Sequence, residues 1–315
     1  VLGLAIEYIY PPRLCRSLNK PRSYWAQVFF EDELSVHCAI SLMSSLDSFF
    51  SGSEYLPPKA VHHLGCAVNL VNLRLGTAEA LSDSNLAAVN FLVVHHLVRE
   101  EHEQAQVHYR GLQKMVELRG GMARLAHDDV LALKLCKTDL DYALHYGTPV
   151  TFYRDRMISI YQALLADGFF PSKNATTPPS SLHELDPSVR QIFQNVTNMC
   201  SLFNNTKLNF RLDPQLLQEF VVSVGHAVIH THPLSDLPLK NKVDGAYHIG
   251  LAAFVITLIL QFGRHRYLRY NLLGSCLKDV IARGLDEKDD GLMLWVMFLG
   301  VYRWSAEASA SVSVD

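Results

Sequence analysis

Between His108 and Leu125 the chain reads HYRGLQKMVELRGGMARL, and this segment restricts the fold more than any other. His108, Gly111, Met115 and Arg119 follow at intervals of three, four and four residues, the recurrence that gathers side chains on one face of an α-helix. Gly120 and Gly121 then stop that helix, because glycine takes the left-handed conformation of a C-cap without a Cβ penalty. Asp128 opens a fresh helix. A rod with a fixed packing face and a fixed exit belongs to a scaffold, and the pattern is unlike a phosphate cradle or a nucleophile loop.

The same helical signals recur along the chain. Glu31 to Phe50 and Pro58 to Leu75 carry apolar residues at helical spacing, with exits at Gly52 and Gly76. Asp83 is the expected cap of a helix through Leu86, Val89, Leu92 and Val93. Asp128 is the expected cap of one through Leu131, Leu135, Leu140 and Leu144, ended by Gly147-Thr148-Pro149. Asp213-Pro214 reads as an N-cap followed by proline at the first helical position, and His232-Pro233 closes that helix. Two strongly apolar helices follow, near Ala246 to Phe262 and Leu292 to Trp304. No alternating strand pattern flanks an Asn-Gly or Asp-Gly turn. The expected fold is all-α, an irregular multi-helix bundle of antiparallel helices.

Composition fits a large interior: 49% of the 315 residues are hydrophobic and only 19% are charged. Pro171 to Pro187 (PSKNATTPPSSLHELDP) holds four prolines among serines and threonines, so it reads as a long, mobile surface loop inside one domain spanning 1–315. The apolar run Gly250 to Leu260 falls well short of the roughly 20 residues a membrane span needs, and a buried core helix is expected there. A net charge of −3 supplies no positive field to recruit nucleic acid, so no direct nucleic-acid contact is expected from this chain. The six cysteines are widely separated and contain no Cys-x-x-Cys pair, which excludes a disulfide framework and a zinc-ligand spacing and points to a reducing compartment. Sequons at Asn174, Asn195 and Asn204 matter only in a secreted protein, and no secretory signal introduces the chain. A first residue of Val1 is what a fragment or processed product would show.

Asp83 to Leu97 (DSNLAAVNFLVVHHL), His108, Gly111-Leu112, Met115, Arg119-Gly120-Gly121, Leu125, and Asp139 with Ala143 together resemble the fungal-specific transcription factor domain, the regulatory middle region of fungal zinc-cluster transcription factors. Gly291 to Trp304 (GLMLWVMFLGVYRW), with Trp295, resembles the tryptophan-bearing helix near that domain's end. The likeness runs from around Ser35 to Trp304, although Ser172 to Pro238 matches only in general character. It implies an all-helical nuclear protein that controls RNA polymerase II transcription through co-regulators or the transcription machinery, a homodimer, or a small-molecule effector. Family members usually carry a zinc-cluster DNA-binding module ahead of this domain, which this chain lacks: either it lies ahead of Val1, or this is a variant without it. No zinc or other cofactor is expected in this chain itself, and the resemblance places no catalytic role on any of the residues above.

Other readings compete. Arg119-Gly120-Gly121 is a single copy, so the guanidinium is expected to serve its own helix's last carbonyls rather than RNA. His108 reads as a satisfied core or interhelical histidine. Among the fifteen histidines, His226 and His230 stand four apart on one helix face and His232 follows, the candidate ligand set of a histidine-dependent metalloenzyme, with Asp236 as a further carboxylate. His95, His96 and His102 also share nearly one face, but no residue between them supplies an inward carboxylate. Arg264, Arg266 and Arg269 with Tyr267 and Tyr270 form a basic-aromatic cluster that the acidic run Asp286 to Asp290 can neutralise. Nucleophile elbows, phosphate loops and dinucleotide fingerprints are missing from the sequence, so no enzyme is expected. A helical interaction scaffold without a ligand is the remaining alternative.

Overall fold

The computed structural model describes residues 2–19, 29–51, 53, 55–125, 129–169, 185–205, 210–259 and 270–311. They form the helices α1 (Leu2–Ile9), α2 (Glu33–Ser51), α3 (Pro58–Leu75), α4 (Asp83–Val98), α5 (His102–Leu118), α6 (Asp129–Tyr146), α7 (Met157–Ala166), α8 (Pro187–Asn204), α9 (Pro214–Thr231), α10 (Lys242–Ile259), α11 (Asn271–Arg283) and α12 (Asp290–Ser311). No strand occurs among the described residues, whose one β feature is an isolated bridge between Cys15 and Leu212. The fold is all-α. None of the described helices is long and apolar enough to cross a membrane, and Leu251, Ala252 and Val255 of the apolar run are fully buried.

Contacts group the chain into two compact units, one of Val1–Ile9 with Ser17–Thr138, the other of Tyr10–Arg16 with Asp139–Asp315. The sequence reading expects one domain, with Pro171 to Pro187 as a long surface loop and the clearest break. The division instead falls inside α6, because each unit has its own set of buried apolar side chains. Leu86, Val93 and Leu112 are buried in the first, and Val222, Ile229 and Leu251 in the second.

In the first unit α2 packs on α3 and α4, and α4 packs on α5. Helix α4 is buried on nearly every side, from Leu86 through Leu97, and its polar residues Asn85, Asn90, His95 and His96 are buried with it. The cap of α4 is Ser82, whose hydroxyl accepts the N–H of Asn85 at 3.2 Å, one residue before the expected Asp83. Helix α5 is amphipathic, and it buries Ala105, Tyr109, Leu112, Met115 and Val116. That face differs from the expected one: Gly111 is exposed, with no atom within 4 Å of where a Cβ would stand. The apolar periodicity of the segment, not its glycine, sets the packing side.

In the second unit α9 packs on α7, α8 and α10, and α10 packs on α11 and α12. Asp213 caps α9 by accepting the N–H of Gln215 at 3.0 Å, with Pro214 in the first turn and His232 as the C-cap. Trp295 of α12 lies against Gly250 of α10, where a Cβ would come within 2.3 Å of the indole. Phe193 and Tyr247 complete the aromatic group, 5.0 Å apart and edge to face. Asp186 caps α8 through the N–H of Ser188 (2.8 Å), so the last residues of the expected loop begin a helix. Gly52, Asp128, residues 170–184, Arg264, Arg266, Tyr267 and Arg269 lie outside the described residues, as does the side chain of Trp304.

Candidate metal centre

The exit of α4 and the entry of α5 meet in a tight turn that draws two histidines and a carboxylate together. The N–H of Glu101 donates to the carbonyl of His96 (2.9 Å) and the N–H of Glu100 to that of Leu97 (3.1 Å). This paired closure is a Schellman motif, and its left-handed position is usually glycine. Here Glu100 occupies it, at φ 58°. The turn folds Glu101 back, and Oε2 of Glu101 accepts a hydrogen bond from Nδ1 of His96 at 2.6 Å. Oε1 of Glu101 takes the Arg99 guanidinium at 3.4 Å.

His95, 2% exposed, faces α2. The Ser45 hydroxyl donates to the Ser41 carbonyl (3.1 Å), so its oxygen is the acceptor for Nδ1–H of His95 at 3.0 Å. That assignment leaves the lone pair on Nε2, a buried atom with no hydrogen-bond partner. Burial pushes His95 down to about 3, and nearby His96, Arg99 and His108 add to the shift. His108 of α5 stacks on His96 of α4, ring centroids 5.1 Å apart and 8° from parallel. Burial, then His96, holds His108 down at about 4. His95 and His108 are therefore neutral at ordinary pH, the form in which imidazole binds a metal. One ring nitrogen of His95, one of His96 and a carboxylate oxygen of Glu101 lie within 4.8 Å of one another, the one such group of three or more among the described residues.

The other residues singled out in the sequence are structural. At the end of α5 the N–H of Gly121 donates to Val116 and that of Gly120 to Glu117, both at 2.9 Å, with φ of 83° and 100° at the two glycines. Arg119 does not serve the carbonyls of its own helix. It reaches back to the start of α4, donating to the carbonyl of Leu81 (3.2 Å) and pairing with Asp83. An arginine turned away from its own C-terminus leaves the paired glycine N–H groups to satisfy the last carbonyls. Asp139, fully buried, accepts the backbone N–H groups of Thr151 (2.9 Å) and Phe152 (2.7 Å), which fixes the segment after α6. Met115 is core, and Tyr270 of the basic-aromatic cluster is buried with its hydroxyl on Asp141 at 2.5 Å.

His226, His230 and His232 are not brought together as a ligand set. Nδ1 of His226 accepts the N–H of Arg154 at 2.8 Å, while Arg154 pairs with Glu219 on the same helix. His230 is exposed beside Tyr153, and the ring of His232 turns edge-on to His248. The histidine spacing was legible there, but the buried backbone beside α9 claims the first imidazole.

Glu101 is the ligand candidate that the sequence did not point to. It stands between His96 and His102, where no inward carboxylate was expected, and a turn that no glycine announces folds it back onto His96. Comparison with protein families, with curated proteins and with solved structures gives no match to this chain. The likeness to the fungal regulatory domain thus rests on the residues named above.

Proposed function

We propose that this chain is the regulatory domain of a fungal zinc-cluster transcription factor, a nuclear helical body that sets the output of a DNA-binding module carried elsewhere. The observation that carries the reading is the use made of Arg119-Gly120-Gly121, the most distinctive element of the resemblance. It turns the chain at the end of α5 and ties that end to Leu81 and Asp83 at the start of α4. A joint of this kind couples the ends of two packed helices, so a partner or ligand that prefers one arrangement of α5 biases α4 as well. Bond chemistry is not needed for that role. Contacts with co-regulators, with a second copy or with a small effector each act by differential affinity for the two arrangements.

The test fuses the whole chain to a heterologous DNA-binding domain in yeast and reads a reporter gene. The expected result is an output several-fold different from the DNA-binding domain alone, shifted again by Arg119→Ala at equal protein level. A reporter indistinguishable from the DNA-binding domain alone, with the fusion abundant in the nucleus, overturns the reading.

A further inference from the structure

We infer that the turn between α4 and α5 is a binding site for a divalent transition metal of the zinc class, held by His95, His96 and Glu101. This inference is independent of the proposed transcriptional role. Three observations converge on it. His95 carries a ring nitrogen that is buried and without a partner, while its other nitrogen is fixed by Ser45. An imidazole oriented by a hydrogen bond at one nitrogen, with a bare lone pair at the other, is the arrangement of a metal-ligating histidine. An orphaned buried acceptor is otherwise destabilising.

The second observation is the backbone. Glu100 stands at φ 58°, in the left-handed region that disfavours a residue with a Cβ. The neighbouring helix makes the same closure with Gly120 at no such cost. Strain of this kind persists where the surrounding structure requires it and gathers at ligand sites. Its local result is to bring the Glu101 carboxylate onto His96.

The third is size and charge. Two bonds of about 2.0–2.1 Å span at most about 4.2 Å between ligand atoms. The three donors lie within 4.8 Å and tetrahedral ligand atoms stand about 3.4 Å apart, so side-chain rotations of about an ångström close the set, with His96 exchanging its hydrogen bond to Glu101 for the ion. The negative end of the α4 dipole favours a cation at this point, and Glu101, at the N-cap of α5, stands where a carboxylate is favoured. The Arg99 guanidinium faces Glu101 and opposes the ion; His108 lies against the outer face of His96. Two imidazoles and one carboxylate suit zinc, cobalt or nickel better than calcium or magnesium, and three protein ligands leave a position for water. A bound ion would clamp the exit of α4 to the entry of α5.

The experiment titrates the whole metal-free chain with Co²⁺ alone and with Zn²⁺ alone. Saturable one-to-one binding is expected, with a visible Co²⁺ spectrum of low coordination number and a rise in Tm with Zn²⁺. Glu101→Gln, at a half-buried position that tolerates the isosteric amide, should weaken binding by about tenfold or more with an unchanged circular dichroism spectrum. His96→Gln should weaken it further. The variant His37→Gln/His63→Gln, which removes another close histidine pair of the same unit, should bind as the parent does. Absence of stoichiometric binding, or affinity within threefold of the parent in Glu101→Gln, overturns the site. So does loss of the one-to-one complex in the His37/His63 variant alone.

Discussion

Helices α4 and α5 end in the same way and with opposite chemistry. Each closes with the paired N–H to carbonyl bonds of a Schellman motif, at His96 and Leu97 in α4 and at Val116 and Glu117 in α5. Helix α5 places Gly120 at the left-handed residue; α4 places Glu100 there. The glycine end is relaxed and followed by a second glycine, and its neighbour Arg119 is spent on tying two helices. The glutamate end is strained and has the buried rings of His95 and His96 beside it. One turn serves the fold, whereas the other holds an unspent lone pair at some cost to it.

The largest expected effect breaks the glycine turn. Gly120→Val with Gly121→Val forces two β-branched residues to positive φ, a loss of about 2–5 kcal/mol. Denaturant melts should show a markedly destabilised or misfolded first unit, and parental melting would refute the role given to the turn. Next comes the tie: Arg119→Ala should cost about 1–3 kcal/mol, because the Leu81 carbonyl and Asp83 lose a charged partner. Arg119→Lys should recover part of that loss in the same melts.

Smaller and more telling is a pair of opposite sign. Gly120→Ala should destabilise by about 1 kcal/mol, while Glu100→Gly should stabilise the metal-free chain by a similar amount. If both substitutions destabilise, Glu100 is not strained and the contrast between the two turns fails.

The smallest effect separates the histidine-rich turn from histidine burial elsewhere. His248 of α10 is held at about 4 by burial, with His232 adding to the shift against the hydrogen bond it makes to the His232 backbone. Its folded pKa lies below the unfolded value, so the unfolded chain binds the proton first and stability falls as pH drops from about 6.5 towards 4. Between pH 6 and 5.5 this one group contributes a loss of about half a kcal/mol. His248→Leu should remove that part of the slope in pH-dependent melts, and a slope that remains belongs to other groups, the α4 turn among them.

How much of this was legible in the sequence follows from where the signals lie. Helix positions came through because apolar spacing and caps are local: Pro58–Leu75 is helical as read, Asp213 and Pro214 start α9, and Gly120-Gly121 ends α5. The cap of α4 was misplaced by one residue because Ser82 and Asp83 are both competent and only the observed geometry chooses. The partner of Arg119 is distant in sequence, and no spacing rule reports it. The metal candidate was half visible. His95 and His96 stand out in the sequence, but Glu101 does not read as inward-facing, because a left-handed glutamate leaves no mark that glycine signals would reveal. Conversely, the regular four-residue spacing of His226 and His230 suggested ligands where Arg154 had already taken the first ring.

The indole of Trp295 rests on a bare stretch of α10 at Gly250. That contact gives the second unit a built-in optical gauge: any event that lifts α12 from α10 by even a fraction of a side chain changes the surroundings of this chromophore. With Trp25 and Trp304 replaced by Phe, its emission colour follows the seating of one helix on another without an added label.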